Sequence, residues 1–223
     1  MRPSSILVPI GLGIPLSALA LPQPRFNVPR VPNVTPTTGS PTALLYVRGP
    51  GFTAPSNESC DISHVTMPEN AQALPAVSPG LELVLIAIGT GTQNYTCASP
   101  TAKPTQNGAV ATLRKGNCAV AGGGTDDPAP IGTHFFADST TPEFDVIGFG
   151  KTLLKKAADT PAPTPSKNVA LLKLQTQAEG TTSTVKEIYR LATQGGVAPA
   201  DCSDHQPGSV VTVEYTAQYW FFA

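Results

Sequence analysis

Four residues that lie close together in the chain, His134, Asp138, Glu143 and Asp145, carry the side chains best suited to chemistry. A histidine with carboxylates nearby can move a proton or contribute ligands to a metal ion. A pair of carboxylates can also serve glycoside hydrolysis, one protonating the leaving oxygen and the other attacking or activating water. Against this stands the local pattern: His134 and Phe136 fall on one face of a strand and Phe135 on the other. A lone histidine among aromatic rings is more often a hydrogen-bonded structural residue than a catalyst.

Other chemistries lack their spacing. His64, His134 and His205 are far apart, and no pair among Cys60, Cys97, Cys118 and Cys202 has the short spacing of a closed zinc site. The expectation is no metal and no cofactor. Gly89-Thr90-Gly91 follows an apolar run, as a dinucleotide-binding loop would, but position 94 is Asn where that loop needs its third Gly. The next residues, Tyr95-Thr96-Cys97, are strand-like where a helix should open. There is no Gly-x-Ser-x-Gly elbow.

Tyr215, Tyr219 and Trp220 suit two roles. Exposed, their rings could stack on sugar faces as a ligand-binding platform; buried, they would fill a core, which is the commoner fate of such residues. Gln194-Gly195-Gly196 reads as a tight turn closing a hairpin.

The elements that must position these residues follow from the rest of the chain. Residues 1–20 have a basic Arg2, an apolar stretch and Ala18-Leu19-Ala20, the layout of a secretory signal peptide cut after Ala20. Its apolar stretch is too short to span a bilayer, and no membrane association is expected. An exported chain is extracellular, and its four cysteines become candidates for disulfides. Four cysteines allow three pairings; Cys97–Cys118, closing two neighbouring strands, and Cys60–Cys202, tying the domain's start to its end, are the pairs favoured. Asn33, Asn57 and Asn94 head glycosylation sequons.

Loss of Arg2 with the leader lowers Lys plus Arg from 14 to 13 against 15 Asp plus Glu. So weak a charge offers no field to nucleic acid. Only 13% of residues are charged while Pro and Gly number 24 and 20, a balance that favours short strands joined by turns over solvated helices.

Residues 21–42 form a Pro-rich arm that cannot pair regularly, and the folded domain covers 43–223. Within it, strands are expected at Ala43–Arg48, Leu81–Ile88, Asn94–Cys97, Ala109–Arg114, Thr133–Ala137, Glu143–Phe149, Val169–Thr176, Thr184–Leu191 and Val210–Phe222. Ala109, Ala111 and Leu113 alternate against Val110, Thr112 and Arg114, the period of a sheet with one covered face. Lys151–Ala158 reads as the one short helix, with Leu153, Leu154 and Ala157 facing inwards. The terminal Tyr219-Trp220-Phe221-Phe222 cluster is too apolar to dangle and should be pinned in a sheet. The pattern specifies an all-β domain, a β-sandwich or a partly closed barrel, with long Pro/Gly-rich loops.

Several blocks, in order, carry a family likeness: GTGTQNYTC at 89–97, AVATL at 109–113, GTHFFAD at 132–138, Pro142–Asp145, VKEIYRLATQGGVAP at 185–199 and VEYTAQYWFF at 213–222. Over residues 43–223 the chain resembles the DUF3455 family of secreted or envelope proteins of fungi and bacteria. It departs from the family at Asp138-Ser139-Thr140-Thr141, where many members have a Gly-Pro turn. Some fungal members are labelled malate dehydrogenase, a label that the missing nucleotide loop opposes. The resemblance implies an exported β-rich domain and supplies no catalytic residues. The function expected from all of this is a non-catalytic module associated with cell-wall polysaccharide. The alternatives are a hydrolase or metal-dependent enzyme using the His134 region, or a structural surface protein.

Overall fold

The computed structural model describes residues 60–223. The expected strand at Ala43–Arg48, the leader, the arm and the sequons at Asn33 and Asn57 lie outside them. Eight antiparallel strands follow in sequence: β1 Leu83–Cys97, β2 Thr105–Lys115, β3 Pro130–Phe136, β4 Pro142–Val146, β5 Gly150–Thr160, β6 Leu171–Thr176, β7 Glu187–Gly195 and β8 Ser209–Phe222. Each pairs with the next, and β8 returns to pair with β1, closing a barrel. Of the two architectures the sequence allows, this is the barrel, and its closure is complete.

β1 shows why the wall forms. Its β-branched and apolar residues continue through Gly89 and Gly91 into Asn94–Cys97, so the two short strands expected there are one. The glycines serve close approach. A Cβ at Gly89 would stand 2.5 Å from the Tyr219 ring, and one at Gly91 would stand 1.9 Å from the Val110 carbonyl oxygen. The stretch that mimics a nucleotide loop is therefore a strand whose side-chain-free positions let a ring and a neighbouring backbone come close. Asn94 lies on the outer side of the same strand, its side-chain oxygen accepting a hydrogen bond from Thr92 at 3.0 Å.

Two cores use the two sides of this wall. Inside the barrel, Leu85, Leu113, Phe144, Val146, Leu154, Ile188, Tyr219 and Phe221 pack together. Outside it, Ile62, Ala71 and Leu74 from the segment preceding β1 cover Ile86, Leu171, Tyr189, Leu191, Trp220 and Phe222. Strands buried on both sides lose the polar/apolar alternation of an exposed sheet. Thus Glu187 through Leu191 are all buried, and so are Tyr219 through Phe222. The C-terminal cluster is pinned as the sequence requires: Glu82 and Ala223 exchange two backbone hydrogen bonds of 3.1 Å.

Lys151–Ala158 is not a helix but most of β5, which pairs with β4 on one side and β6 on the other. Its burial alternates, Thr152 and Leu154 entering the barrel while Lys151 and Lys155 face out. The local pattern fits a helix, but the ladder hydrogen bonds of β4 and β6 need a strand between them, and pairing overrides propensity. Among the described residues the single α-helix is α1, Asn117–Ala121, after β2. It is fixed by Asn117, whose side-chain oxygen accepts the Ile86 N–H at 2.8 Å.

The disulfides also differ from the favoured pairs: they are Cys60–Cys118 and Cys97–Cys202. The reason is hairpin length. β1 carries Cys97 to one end of the barrel, whereas β2 returns to the other and delivers Cys118 next to Ile86, eleven residues before Cys97 and about 35 Å away along an extended strand. Cys97 instead pairs in register with Ser209, close to the β7–β8 connection that holds Cys202. Cys60 is bound where the outer cover meets α1.

The outer cover is also held by charge. Lys173 Nζ lies 3.0 Å from Glu187 on the neighbouring strand and donates to the Ala76 carbonyl at 2.7 Å. Ser78 donates its hydroxyl to Glu187 at 2.6 Å and its N–H at 3.2 Å, and Tyr189 donates to the Pro75 carbonyl. Both charged side chains are buried, so removing one strands the other in a dry site. Lys173→Met is expected to cost about 3–5 kcal/mol in urea unfolding, with much of the loss recovered in Lys173→Met/Glu187→Gln. A Lys173→Met cost under about 1 kcal/mol would mean that the pair does not hold the cover.

Candidate binding site in the barrel mouth

The barrel is filled at one end and open at the other. Leu85, Leu113, Val146, Leu154, Ile188 and Phe221 plug the end where β1 begins. Above them lies an aromatic layer around His134, which is 3% exposed. Its ring stacks on Phe144 with centroids 4.2 Å apart and is tilted against Tyr219 and Phe136. Tyr219 and Tyr215 share a hydrogen bond of 2.8 Å between their hydroxyls.

Beyond this layer the lumen opens into a cavity of about 390 Å³, within the usual range for a small-ligand site. Gln93, Arg190 and Leu174 lie deepest. Tyr95, Phe136, Pro142, Val169 and Leu172 form its sides, and Gln106, Ser139, Thr140, Lys156 and Asp159 reach it as well. Lys156 and Asp159 form an ion pair of 2.8 Å, so they largely cancel as charges.

Two inward polar groups are incompletely matched by the protein. Arg190 is 7% exposed, and its Nε and Nη2 both donate to one backbone carbonyl, that of Ala170, at 3.2 and 2.9 Å. Among the described residues no carboxylate forms an ion pair with it. Gln93 is 1% exposed, and its side-chain nitrogen is buried and makes no full hydrogen bond. Neither residue stands out in the sequence. The available signal was an arginine in a strand flanked by Ile188, Tyr189 and Leu191, and a glutamine at an inward position of β1.

The constellation of His134, Asp138, Glu143 and Asp145 does not converge. β3 and β4 place His134 opposite Phe144, both pointing into the barrel, so Glu143 and Asp145, the neighbours of Phe144, point outwards. His134 reaches Glu143 only through its backbone, Nδ1 donating to the carbonyl at 2.9 Å, while the Glu143 carboxylate, buried on the outer side of the wall, faces Lys151 at 3.4 Å. Asp138 is exposed in the β3–β4 turn. Its carboxylate accepts hydrogen bonds from the backbone and hydroxyl of Thr140 and from Thr141, which hold its pKa down at about 2. It organises the β3–β4 turn. Tyr215, Tyr219 and Trp220 are all buried, so none offers a ring face at the outer surface. Gln194-Gly195-Gly196 does not close a hairpin either. It ends β7 beyond a bulge, and Gly196 packs against Gln93 and Tyr215. Among the described residues no three His, Cys, Asp or Glu side chains could hold a metal ion together.

The protein is an all-antiparallel closed β-barrel, plugged at one end and holding the cavity at the other. The chain belongs to the family described as protein of unknown function DUF3455, which matches residues 77–223 and so takes in all eight strands. No curated protein and no solved structure matches the chain.

Burial holds the His134 pKa down at about 4, assisted by the charge of Arg190 and opposed by the Glu143 hydrogen bond. In the unfolded chain the ring titrates near its ordinary value of about 6.5, so between the two values only the unfolded state binds the proton. Stability therefore rises with pH across that window, and is lost as pH falls through it. The shift is equivalent to roughly 3 kcal/mol. His134→Gln should flatten the dependence of unfolding free energy on pH between about 4 and 6.5. An unchanged slope would show that His134 is not the group responsible.

Proposed function

We propose that this protein is a non-catalytic binding module whose guest occupies the barrel mouth. The observation that carries this is the buried side-chain nitrogen of Gln93, which makes no full hydrogen bond in the wall of an open cavity and reaches the Tyr215 hydroxyl only loosely. A buried polar group left unpaired costs about 1–3 kcal/mol, and a guest supplying an acceptor would remove that cost. The two disulfides fit an oxidising, extracellular setting. In that setting the guest is a free small molecule or the end of a cell-wall polysaccharide chain inserted into the mouth. Phe136 and Tyr95 offer it ring surface, and Gln106, Ser139 and Thr140 offer hydrogen bonds.

Leu172 is half-buried on the cavity wall, at the edge of the inner core. Leu172→Trp should fill the mouth without disturbing the core, leaving the melting temperature within a few degrees. Screened by saturation-transfer NMR against small metabolites and cell-wall oligosaccharides, the wild type should give hits that weaken at least tenfold in Leu172→Trp. Hits that persist in the filled variant would move the binding surface outside the barrel and refute the proposal.

A further inference from the structure

Resting on the proposal that the mouth takes a guest, we infer that the guest carries a carboxylate, held by Arg190 and Gln93, on a body apolar enough to lie against Phe136, Leu172 and Leu174. The inference begins from an imbalance of charge. A guanidinium cannot discard its proton in a protein, so a buried arginine needs an anion or several acceptors. Among the described residues Arg190 has only neutral acceptors, the Ala170 carbonyl, taken by Nε and Nη2, and the Tyr219 hydroxyl. Residues 1–59 contain just one acidic residue, Glu58, so the chain has little with which to supply the missing charge.

A guanidinium carries five N–H donors, so these neutral acceptors leave others for an anion. Two nearly parallel N–H groups on a planar cation match the two oxygens of a carboxylate. Gln93 adds a third donor. Both residues act on Tyr215: the Arg190 charge and the Gln93 side chain each favour its ionised form, although burial prevails and raises its pKa. Nothing else in the cavity competes for the anion or repels it strongly. Lys156 and Asp159 are paired with each other, and His134 is neutral at physiological pH because burial holds its pKa near 4.

The cavity walls set the rest of the molecule. Phe136, Pro142, Val169, Leu172 and Leu174 are apolar, and a small, uniformly polar acid would leave them facing water. The guest class is a compact amphipathic monocarboxylate, an aryl or short alkyl acid.

The test uses the full chain, produced in a secretory host so that both disulfides form, and matched probes: trans-cinnamate with cinnamamide, and octanoate with octanamide. In isothermal titration the carboxylate of at least one pair should bind tenfold or more tighter than its amide. Arg190→Met should reduce it to the level of the amide. Should Arg190→Met fail to fold, Gln93→Glu provides the same test with a side chain of the same shape. Its new carboxylate places a negative charge in the cavity with Arg190 and should weaken the carboxylate probe at least tenfold, and far more than it weakens the amide. Equal affinity for acid and amide, or a carboxylate unaffected by Gln93→Glu, overturns the anion pairing and leaves the mouth as a binding site. Absence of binding by all four probes overturns the carboxylate inference, and hits from the metabolite and oligosaccharide screen that are lost in Leu172→Trp would then uphold the mouth without it.

Discussion

The pairing of β1 with β8 is the contact on which the other features depend. It runs from Leu83 with Phe222, through one register shift before Leu85, to Cys97 with Ser209, and without it the sheet would have two open edges, each a row of unpaired N–H and C=O groups. Closure also assigns every side chain of the wall to an inside or an outside. That division sends His134, Arg190 and Gln93 into the lumen and Glu143 and Asp145 to the outer side of the wall, where Asp145 is exposed and Glu143 is covered. A one-residue slip in the same ladder would exchange the two sets.

The sheet is protected unequally. β7 and β8 have packed residues on both faces, because the segment before β1 lies over them and the Lys173–Glu187 pair fastens it. β3 and β4 are short and bear exposed turns at the rim. The cavity is therefore bounded on one side by a wall that carries Arg190 and is packed on both faces and, on the other, by a hairpin whose end is organised mainly by Asp138 and its threonines.

The strands were legible in the sequence because a barrel wall covered on one side alternates, as Ala109–Arg114 does. β7 was harder, since covering both faces erases the alternation, and Thr184–Leu191 gave no sign of which side was inside. β5 was misread as a helix for a related reason: Leu153 and Leu154 are adjacent, which suits a helix, yet Leu154 enters the lumen while Leu153 lies outside against Gly180. The site was the least legible part. Closeness in sequence grouped His134 with three carboxylates, but adjacent positions on paired strands face opposite ways. Gln93 and Arg190, separated by 97 positions, meet only because the sheet closes.

Closure also governs the order of events as the chain is made. The first strand of the barrel finds its second partner only when the last has been synthesised, more than a hundred residues later, and such distant pairing is slow. Until then β1 presents a bare edge and the aromatic layer has no Tyr219 to complete it. The barrel therefore cannot close before β8 has been made, and Cys97 likewise waits on Cys202.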